Sequence, residues 1–232
     1  MIADHDRSYY FGASDTDKVI GNWKTKTWEK WWMQKMGINN DHFDNEFTKA
    51  GTNWEHRILD SLHLPNLEKD KQIIIEDLRL RVNLDGNTPF RIKEVKTYQW
   101  EKGWKKTPPE YINQVQVQMF ASNIYEADIV AYGLEPEDYK NYLRELDPRR
   151  LKEIPVAYDP NWIETVYLPK LRILADCLKR GVSPMSNAQK ELARVIERYF
   201  GADAAYLDID CFTLAKRIIE AGWTKKDGDS NG

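Results

Sequence analysis

Between Leu78 and Tyr98 the chain reads LRLRVNLDGNTPFRIKEVKTY, and this stretch predicts the centre of a β-sheet. Apolar residues alternate with polar ones from Leu78 to Asp85, which is the period-2 pattern of a strand with one buried face. The pair Asp85-Gly86 predicts a turn, and Arg91–Tyr98 is typical of a returning strand. The two strands should therefore form an antiparallel hairpin.

Acidic and basic side chains meet on this predicted hairpin. Antiparallel pairing would place Asp85 near Glu94. Side chains two apart on a strand share a face, so Lys96 joins Glu94 while Val95 points to the other face. Paired carboxylates bind a hard divalent cation through oxygen, and a nearby lysine can orient or deprotonate a water. The same residues also fit an ordinary hairpin with solvated charges, and only the rest of the chain distinguishes the two.

Length and composition indicate a globular protein with one substantial core. The chain has 232 residues, of which 41% are hydrophobic and 31% are charged. It has no apolar run near 18 residues and no recognisable signal peptide, so we expect an intracellular protein. The net charge of −3 argues against a general basic coat for nucleic acid but allows a local basic groove. Cys177, Cys211 and four scattered histidines favour free thiols and argue against a zinc site.

The N-terminal region has two features that each allow two interpretations. Ser14 or Asp15 fits the N-cap of a short helix that ends at Gly21. The block Trp23–Met36 interleaves tryptophans with lysines. Such a block can stack bases and hold phosphates, or it can be a helix that packs an aromatic face on the core.

Glu55 lies on the apolar stripe of a predicted helix, Glu46–Leu62. Ile58 and Leu59 follow it at i+3 and i+4, so the carboxylate faces the same side as these apolar residues. A charge in that position needs a partner or a metal. Thr52 and Glu55 also fit a capping box, in which the Glu55 side chain would accept from the Thr52 backbone. The local sequence leaves both interpretations open.

The remaining elements alternate between strands and helices. Predicted strands cover Lys71–Glu76, Asp128–Leu134 and Glu153–Tyr158; predicted helices follow Pro108-Pro109 and span Asn161–Lys179. The loop Gln99–Thr107 carries Lys102, Lys105 and Lys106 with two tryptophans; it is either solvated or suited to gripping a nucleic-acid strand. We predict a main domain over 1–182, a helical extension over 183–223 and a flexible tail over 224–232.

The order of these motifs resembles the PD-(D/E)xK nuclease superfamily, and more narrowly the lambda-type phage exonucleases with their YqaJ-like viral recombinase relatives. The likeness covers roughly residues 7 to 175. It rests on GASD at 12–15, AGTNWE at 50–55, LDG at 84–86, EVK at 94–96 and NQVQVQ at 113–118. Three features depart from the pattern, namely Leu84 in place of a proline, the acidic overall charge and the C-terminal extension. The resemblance implies an α/β (α+β) fold, with a restriction-endonuclease-like core of a mixed central sheet flanked by helices.

The resemblance also implies a site. The catalytic residues would be Glu55, Asp85, Glu94, Lys96 and Gln114. Mg²⁺ or Mn²⁺ would be bound by Asp85, Glu94, the Val95 carbonyl and Glu55. Arg7 and Ser14 stand where the lambda-type enzymes hold a 5′-terminal phosphate, although Arg7 also fits a surface charge and Ser14 a helix cap. Lys102, Lys105 and Lys106 would contact the DNA.

The implied function is a metal-dependent DNA exonuclease that degrades linear double-stranded DNA from its ends, 5′→3′, in phage-type recombination. The implied partners are duplex DNA ends, a single-strand annealing protein and further copies of the chain, of which a trimer is one form. We expect no membrane association and a cytoplasmic location in a bacterial host, with the gene carried by a phage or prophage. The alternatives are an endonuclease or an exonuclease of other polarity, and a non-catalytic DNA-end-binding or regulatory protein on the same fold. Intact Asp85, Glu94 and Lys96 argue against the last of these.

Overall fold

A computed structural model describes residues 8–38, 46–184, 192, 195–196, 211–220 and 222, and its centre is a five-stranded sheet. The strands lie in chain order: β1 (Glu68–Ile75), β2 (Leu80–Asn87), β3 (Ile92–Gln99), β4 (Glu126–Leu134) and β5 (Leu151–Ala157). β3 and β4 are parallel, and the other neighbours are antiparallel. The mixed central sheet predicted from the sequence is therefore confirmed.

The helices are α1 (Thr16–Ile20), α2 (Lys26–Lys35), α3 (Glu46–Ser61), α4 (Pro109–Ser122), α5 (Pro160–Trp162), α6 (Leu168–Lys179) and α7 (Cys211–Glu220). They pack around this sheet, except the last one, α7, whose described residues form a separate small cluster with Leu192 and Ile196. α4 connects the parallel strands β3 and β4, as a crossover requires. α3 buries Trp54 and Ile58 against Val130 of β4, whereas α4 buries Met119 in the cluster that contains Ile129. Because Val130 and Ile129 are adjacent on a strand, α3 and α4 cover opposite faces of the sheet.

The predicted turn at Asp85-Gly86 is wrong. β2 continues to Asn87, and the turn follows it, where the Thr88 N–H donates to the Arg91 carbonyl at 2.9 Å. Gly86 serves a packing purpose instead, since a Cβ atom there would lie 2.9 Å from a methyl group of Leu59 on α3. The glycine thus allows α3 to approach the sheet closely.

The N-terminal segment adds to the open edge of β2. Phe11 makes an isolated parallel bridge with Leu80, in which its N–H donates to Arg79 and its carbonyl accepts from Arg81. The tryptophans of α2 lie behind this segment and are buried: Trp28, Trp31 and Trp32 stack among themselves and on Phe11. The packing interpretation of this block is therefore confirmed, and these rings are not available to stack bases.

A long loop between β4 and β5 is fastened by a buried ion cluster. Asp138 is fully buried and accepts from Arg144 at 2.8 Å and from Arg150 at 2.5 Å. The indole N–H of Trp54 donates to the Asp138 carbonyl at 3.0 Å, and Arg57 donates to the carbonyls of the same loop. Trp54 and Arg57, which lie on either side of Glu55 on α3, are thus both held by this loop.

The predicted helix Asn161–Lys179 is present but is not uniform. Asp159 caps its start by accepting from the Trp162 N–H, and a π-helical segment, Ile163–Tyr167, separates α5 from α6. No helix within the described ranges is long and apolar enough to cross a membrane. Most of 183–223 and all of 224–232 lie outside the described residues, so the predicted domain boundaries stay predictions.

Candidate active site

The hydrogen-bond ladder between β2 and β3 is short, and the candidate site begins where it ends. The ladder pairs Asn87 with Ile92 and Gly86 with Lys93. Beyond these two pairs, a side chain takes the place of a backbone acceptor: the Val95 N–H donates to the Asp85 carboxylate Oδ2 at 2.8 Å. Asp85 and Glu94 thus flank the point at which the two strands separate, as the predicted hairpin required.

Glu94 is 1% exposed and accepts three hydrogen bonds. Its Oε1 accepts from Lys96 Nζ at 2.6 Å and from Gln114 Nε2 at 2.5 Å, and its Oε2 accepts from Gln118 Nε2 at 2.5 Å. Both glutamines come from α4, one turn apart, so a single helix holds both oxygens of the carboxylate.

Lys96 is held as a cation at this position. Its ammonium bonds to Glu94 and lies 5.1 Å from the centre of the Tyr111 ring. Burial alone would lower the pKa of Lys96, but the charges of Glu94 and Asp85 outweigh burial and raise the pKa above its ordinary value. Without a bound cation, Lys96 therefore donates hydrogen bonds and does not accept a proton.

The carboxylates carry more negative charge than Lys96 can compensate. Burial, followed by the charge of Glu94, raises the pKa of Glu55 to about 7. Burial also raises the pKa of Asp85 well above its ordinary value, with further contributions from Glu94 and Glu55. Like charges in a low-dielectric site repel strongly, and a divalent cation relieves that repulsion.

The capping-box interpretation of Glu55 is wrong. α3 begins at Glu46, so Thr52 lies inside the helix and not at its start. Glu55 instead lines the same cavity as Asp85 and Glu94. Its neighbours on the outer side are His56 and Asp70, which lie 3.0 Å apart, and one ligand atom from each of the three residues lies within 4.8 Å of the others.

The cavity is about 1060 Å³ and reaches from these carboxylates to a basic end. Ser14, Lys35 and Arg81 line that end. Ser14 is exposed and caps no helix; Gly12 precedes the turn Ala13–Asp15, and its N–H is bonded by the Asp15 carboxylate at 2.8 Å. Of the two residues predicted as the N-cap of the short helix, Asp15 is the one that precedes α1, and α1 ends before Gly21 as predicted. Ser14 is not the cap and lines the cavity.

Asp15 holds Lys35 in place at the basic end. Its carboxylate accepts from Lys35 at 2.6 Å and from the Trp31 indole at 2.8 Å. Burial would raise the pKa of Asp15, but the charge of Lys35 and these hydrogen bonds lower the pKa below its ordinary value. Lys35 is 4% exposed, and its contact with Asp15 holds its ammonium group at the cavity wall.

The other residues predicted for DNA contact are distributed unevenly. Lys102 lines the cavity, whereas Lys105 and Lys106 are exposed residues of the loop that follows β3 and are not among the cavity-lining residues. Trp104 of that loop packs on Tyr111 with ring centres 5.4 Å apart, which anchors the loop beside Lys96. Arg7 lies outside the described residues.

Sequence reasoning missed several residues of this site. Arg81 and Asn83 line the cavity with Asp85, and their spacing at i, i+2 and i+4 on β2 puts all three on one face. That alternation was visible in the sequence and could have identified them. Gln118 follows Gln114 by four residues, so their helical spacing could have identified it as well. Lys35, His56 and Asp70 reach the site through contacts between distant elements, and no local pattern marks them.

A family model matches the part of the chain that contains this site. The YqaJ-like viral recombinase domain matches residues 4–124, which is more than half of the chain and includes every carboxylate of the candidate site. The chain belongs to this family. No curated protein matches this YqaJ-like chain in sequence.

Solved structures share the fold of this YqaJ-like chain. An alkaline exonuclease (LHK-Exo) from Laribacter hongkongensis is 19% identical with a TM-score of 0.55, over 75% of this chain and 93% of that one. The same enzyme in complex with dAMP is 18% identical with a TM-score of 0.58, over 87% and 96%. A phage-related exonuclease from Haemophilus somnus 129PT is 17% identical with a TM-score of 0.52, over 75% and 96%. The α/β fold expected from the sequence is therefore confirmed.

Proposed function

We propose that the chain is a divalent-metal-dependent exonuclease that removes nucleotides 5′→3′ from the ends of linear double-stranded DNA. The observation that carries the proposal is the convergence of Glu55, Asp85, Glu94 and Lys96 on one wall of an open cavity with a basic end. Membership of the YqaJ-like family and the fold shared with exonucleases support it.

The donors at this wall fit a hard divalent cation. Asp85, Glu94 and Glu55 supply carboxylate oxygens and Val95 supplies a main-chain carbonyl, which are the ligand types that Mg²⁺ and Mn²⁺ prefer. Burial first, and then the neighbouring carboxylates, raise the pKa values of Glu55 and Asp85, and a bound cation would offset both effects. When bound, the cation would supply charge neutralisation at the scissile phosphate and a more acidic water.

The chain's own residues have distinct tasks under this proposal. Lys96, kept protonated by Glu94 and Asp85, would orient the attacking water or stabilise the phosphate oxygens by hydrogen bonds. Gln114 would hold the Glu94 carboxylate in place beside Lys96, because Gln114 and Lys96 both donate to Glu94 Oε1. These groups need no large movement, since their hydrogen bonds are already formed.

The basic end suits a terminal phosphate. The hydroxyl of Ser14 and the cations of Arg81 and Lys35 are donors that match a phosphate dianion. An end group bound there would direct the strand toward the carboxylates, which supports action from a 5′ end. An endonuclease would have no use for such a terminal pocket.

Digestion of linear duplex DNA with Mg²⁺ tests the proposal. The substrates are duplexes with 5′-phosphate ends, duplexes with 5′-hydroxyl ends and a closed circle. We expect loss of linear DNA only, faster with the 5′-phosphate, and 5′-labelled nucleotides released first. Cutting of the circle would instead make the protein an endonuclease, and no cutting would favour a DNA-end-binding protein.

The control variant for this digestion is Asp85→Asn. Its amide oxygen can still accept from the Val95 N–H, so the junction of β2 and β3 is kept while one anionic ligand is removed. We expect this variant to fold and to leave every substrate intact. Cleavage at the wild-type rate would contradict the proposed metal site.

The broader setting also belongs to this proposal. The expected partners are duplex DNA ends, a single-strand annealing protein and further copies of the chain, and the expected location is the cytoplasm of a bacterial host. Sedimentation with and without DNA would establish the number of copies.

A further inference from the structure

Gln118 is a buried polar residue that contacts the site from behind. It lies on α4 one turn after Gln114 and is fully buried. Its Nε2 donates to Glu94 Oε2 at 2.5 Å and to the Asn83 carbonyl at 3.2 Å. A single amide nitrogen on α4 therefore bonds both a side chain of β3 and the backbone of β2.

The hydrogen bonds of Glu94 determine what it can still bind. A carboxylate has about four lone-pair positions, two on each oxygen. Lys96 and Gln114 use both positions on Oε1, and Gln118 uses one on Oε2. A single position on Oε2 remains, so Glu94 can offer a cation one oxygen only.

The orientation of the Gln118 amide follows from charge. Turning the amide over would place its carbonyl oxygen against the Glu94 carboxylate, which repels it. In the observed orientation Gln118 Oε1 has no hydrogen-bond partner among the described residues. Leaving a buried acceptor unpaired is unfavourable, so this position is a poor choice for packing alone.

We propose that Gln118 is a positioning residue that fixes the rotation of the Glu94 carboxylate, so that one lone pair of Oε2 is presented to a divalent cation. The residue thereby sets the affinity of the site for the cation without touching it. This inference rests on the proposed function, since it assumes that Glu94 is a metal ligand. Partners that hold a ligating carboxylate commonly change metal affinity by about 10–100-fold when they are removed.

The structure offers a matched control on the same helix. Gln116 is also buried, at 5% exposure, and uses its amide to bond the Ala157 carbonyl and the Asp159 N–H. Neither partner lies at the cavity. Gln118→Met and Gln116→Met remove the same group from the same helix, but only the first removes a donor from Glu94.

The experiment is a Mn²⁺ titration of the full-length protein without DNA, in which electron paramagnetic resonance measures the free ion. We expect Gln118→Met to weaken Mn²⁺ binding by about tenfold or more and Gln116→Met to change it by less than about twofold. Thermal unfolding of both variants checks the fold. If Gln118→Met does not fold, Gln118→Asn replaces it, because the shorter amide cannot reach Glu94.

The outcomes separate the two proposals. Wild-type Mn²⁺ affinity in a folded Gln118 variant would overturn the positioning role and leave the proposed function intact. Equal weakening in both glutamine variants would overturn it too, since the effect would then come from the helix as a whole. A wild-type protein that binds no Mn²⁺ would overturn the proposed metal site and this inference with it.

Discussion

Replacing Glu55 with glutamine should stabilise the metal-free protein above neutral pH, although it removes a candidate metal ligand. The reason is the raised pKa of Glu55, about 7 against an ordinary value of 4.5, caused by burial and by Glu94. The folded protein therefore holds a proton that the unfolded chain releases between these two values. Folding stability should fall as the pH rises through this window and stay low above it.

The expected change in the free energy of unfolding follows from the difference between the folded and unfolded pKa values of Glu55. A difference of this size corresponds to about 3 kcal/mol, and the partial exposure of Glu55 reduces it to about 2–3 kcal/mol. Glutamine carries no charge at any pH, so Glu55→Gln should regain this free energy. For a chain of this length, the melting temperature should rise by about 5–10 °C at about pH 8.

The assay is thermal unfolding followed by circular dichroism, in EDTA, at about pH 5 and about pH 8. We expect a difference between variant and wild type at the higher pH and little difference at the lower one. Saturating Mg²⁺ should reduce or reverse the difference, because it stabilises the wild type more. Glu164→Gln, at an exposed helical position, is the control and should show no such pH dependence. A Glu55→Gln variant no more stable than wild type in EDTA at the higher pH would refute the reasoning.

Four further predictions concern single substitutions. Lys96→Ala should lower cleavage by about 100-fold or more while DNA binding persists, and gel-shift and digestion assays check this together. Ser14→Ala should reduce the preference for 5′-phosphate over 5′-hydroxyl ends by about tenfold, and equal loss on both ends would remove the terminal pocket. Gly86→Ala should destabilise by about 1–3 kcal/mol in urea unfolding, because a Cβ meets Leu59; an unchanged midpoint would contradict that packing. Asp138→Ala should cost about 3–5 kcal/mol, since it leaves Arg150 buried without its partner, and an exposed-arginine control, Arg149→Ala, should cost far less.

The sequence was sufficient where the signal was local. Alternation identified β2, and the spacing of Glu94 and Lys96 put both on one face of β3. The positions of Asp85 and Glu94 in the predicted hairpin were enough to predict that the two residues lie close together. The motif order also led to the family that the chain belongs to.

The sequence was insufficient where a residue serves a distant element. Asp85-Gly86 has the composition of a turn, but Gly86 is required by Leu59 of a helix that precedes it by many residues. Thr52 and Glu55 have the spacing of a cap, but the helix starts earlier, at Glu46. Lys35 lines the cavity and is bonded there to Asp15, and neither residue carries a local sign of that contact.

One edge of β2 pairs with two different segments, and this has a consequence for where a bound DNA end would be cut. One part of this edge pairs with β3 through Gly86 and Asn87, and another pairs with Phe11 through the backbone of Arg81. The strand between Arg81 and Asp85 spans about 13 Å, because each residue of a strand advances about 3.3 Å. Under the proposed function, the distance from the end of the DNA to the point of cutting is a length of strand backbone. The sheet would therefore set the length of DNA that the protein removes in each cleavage step.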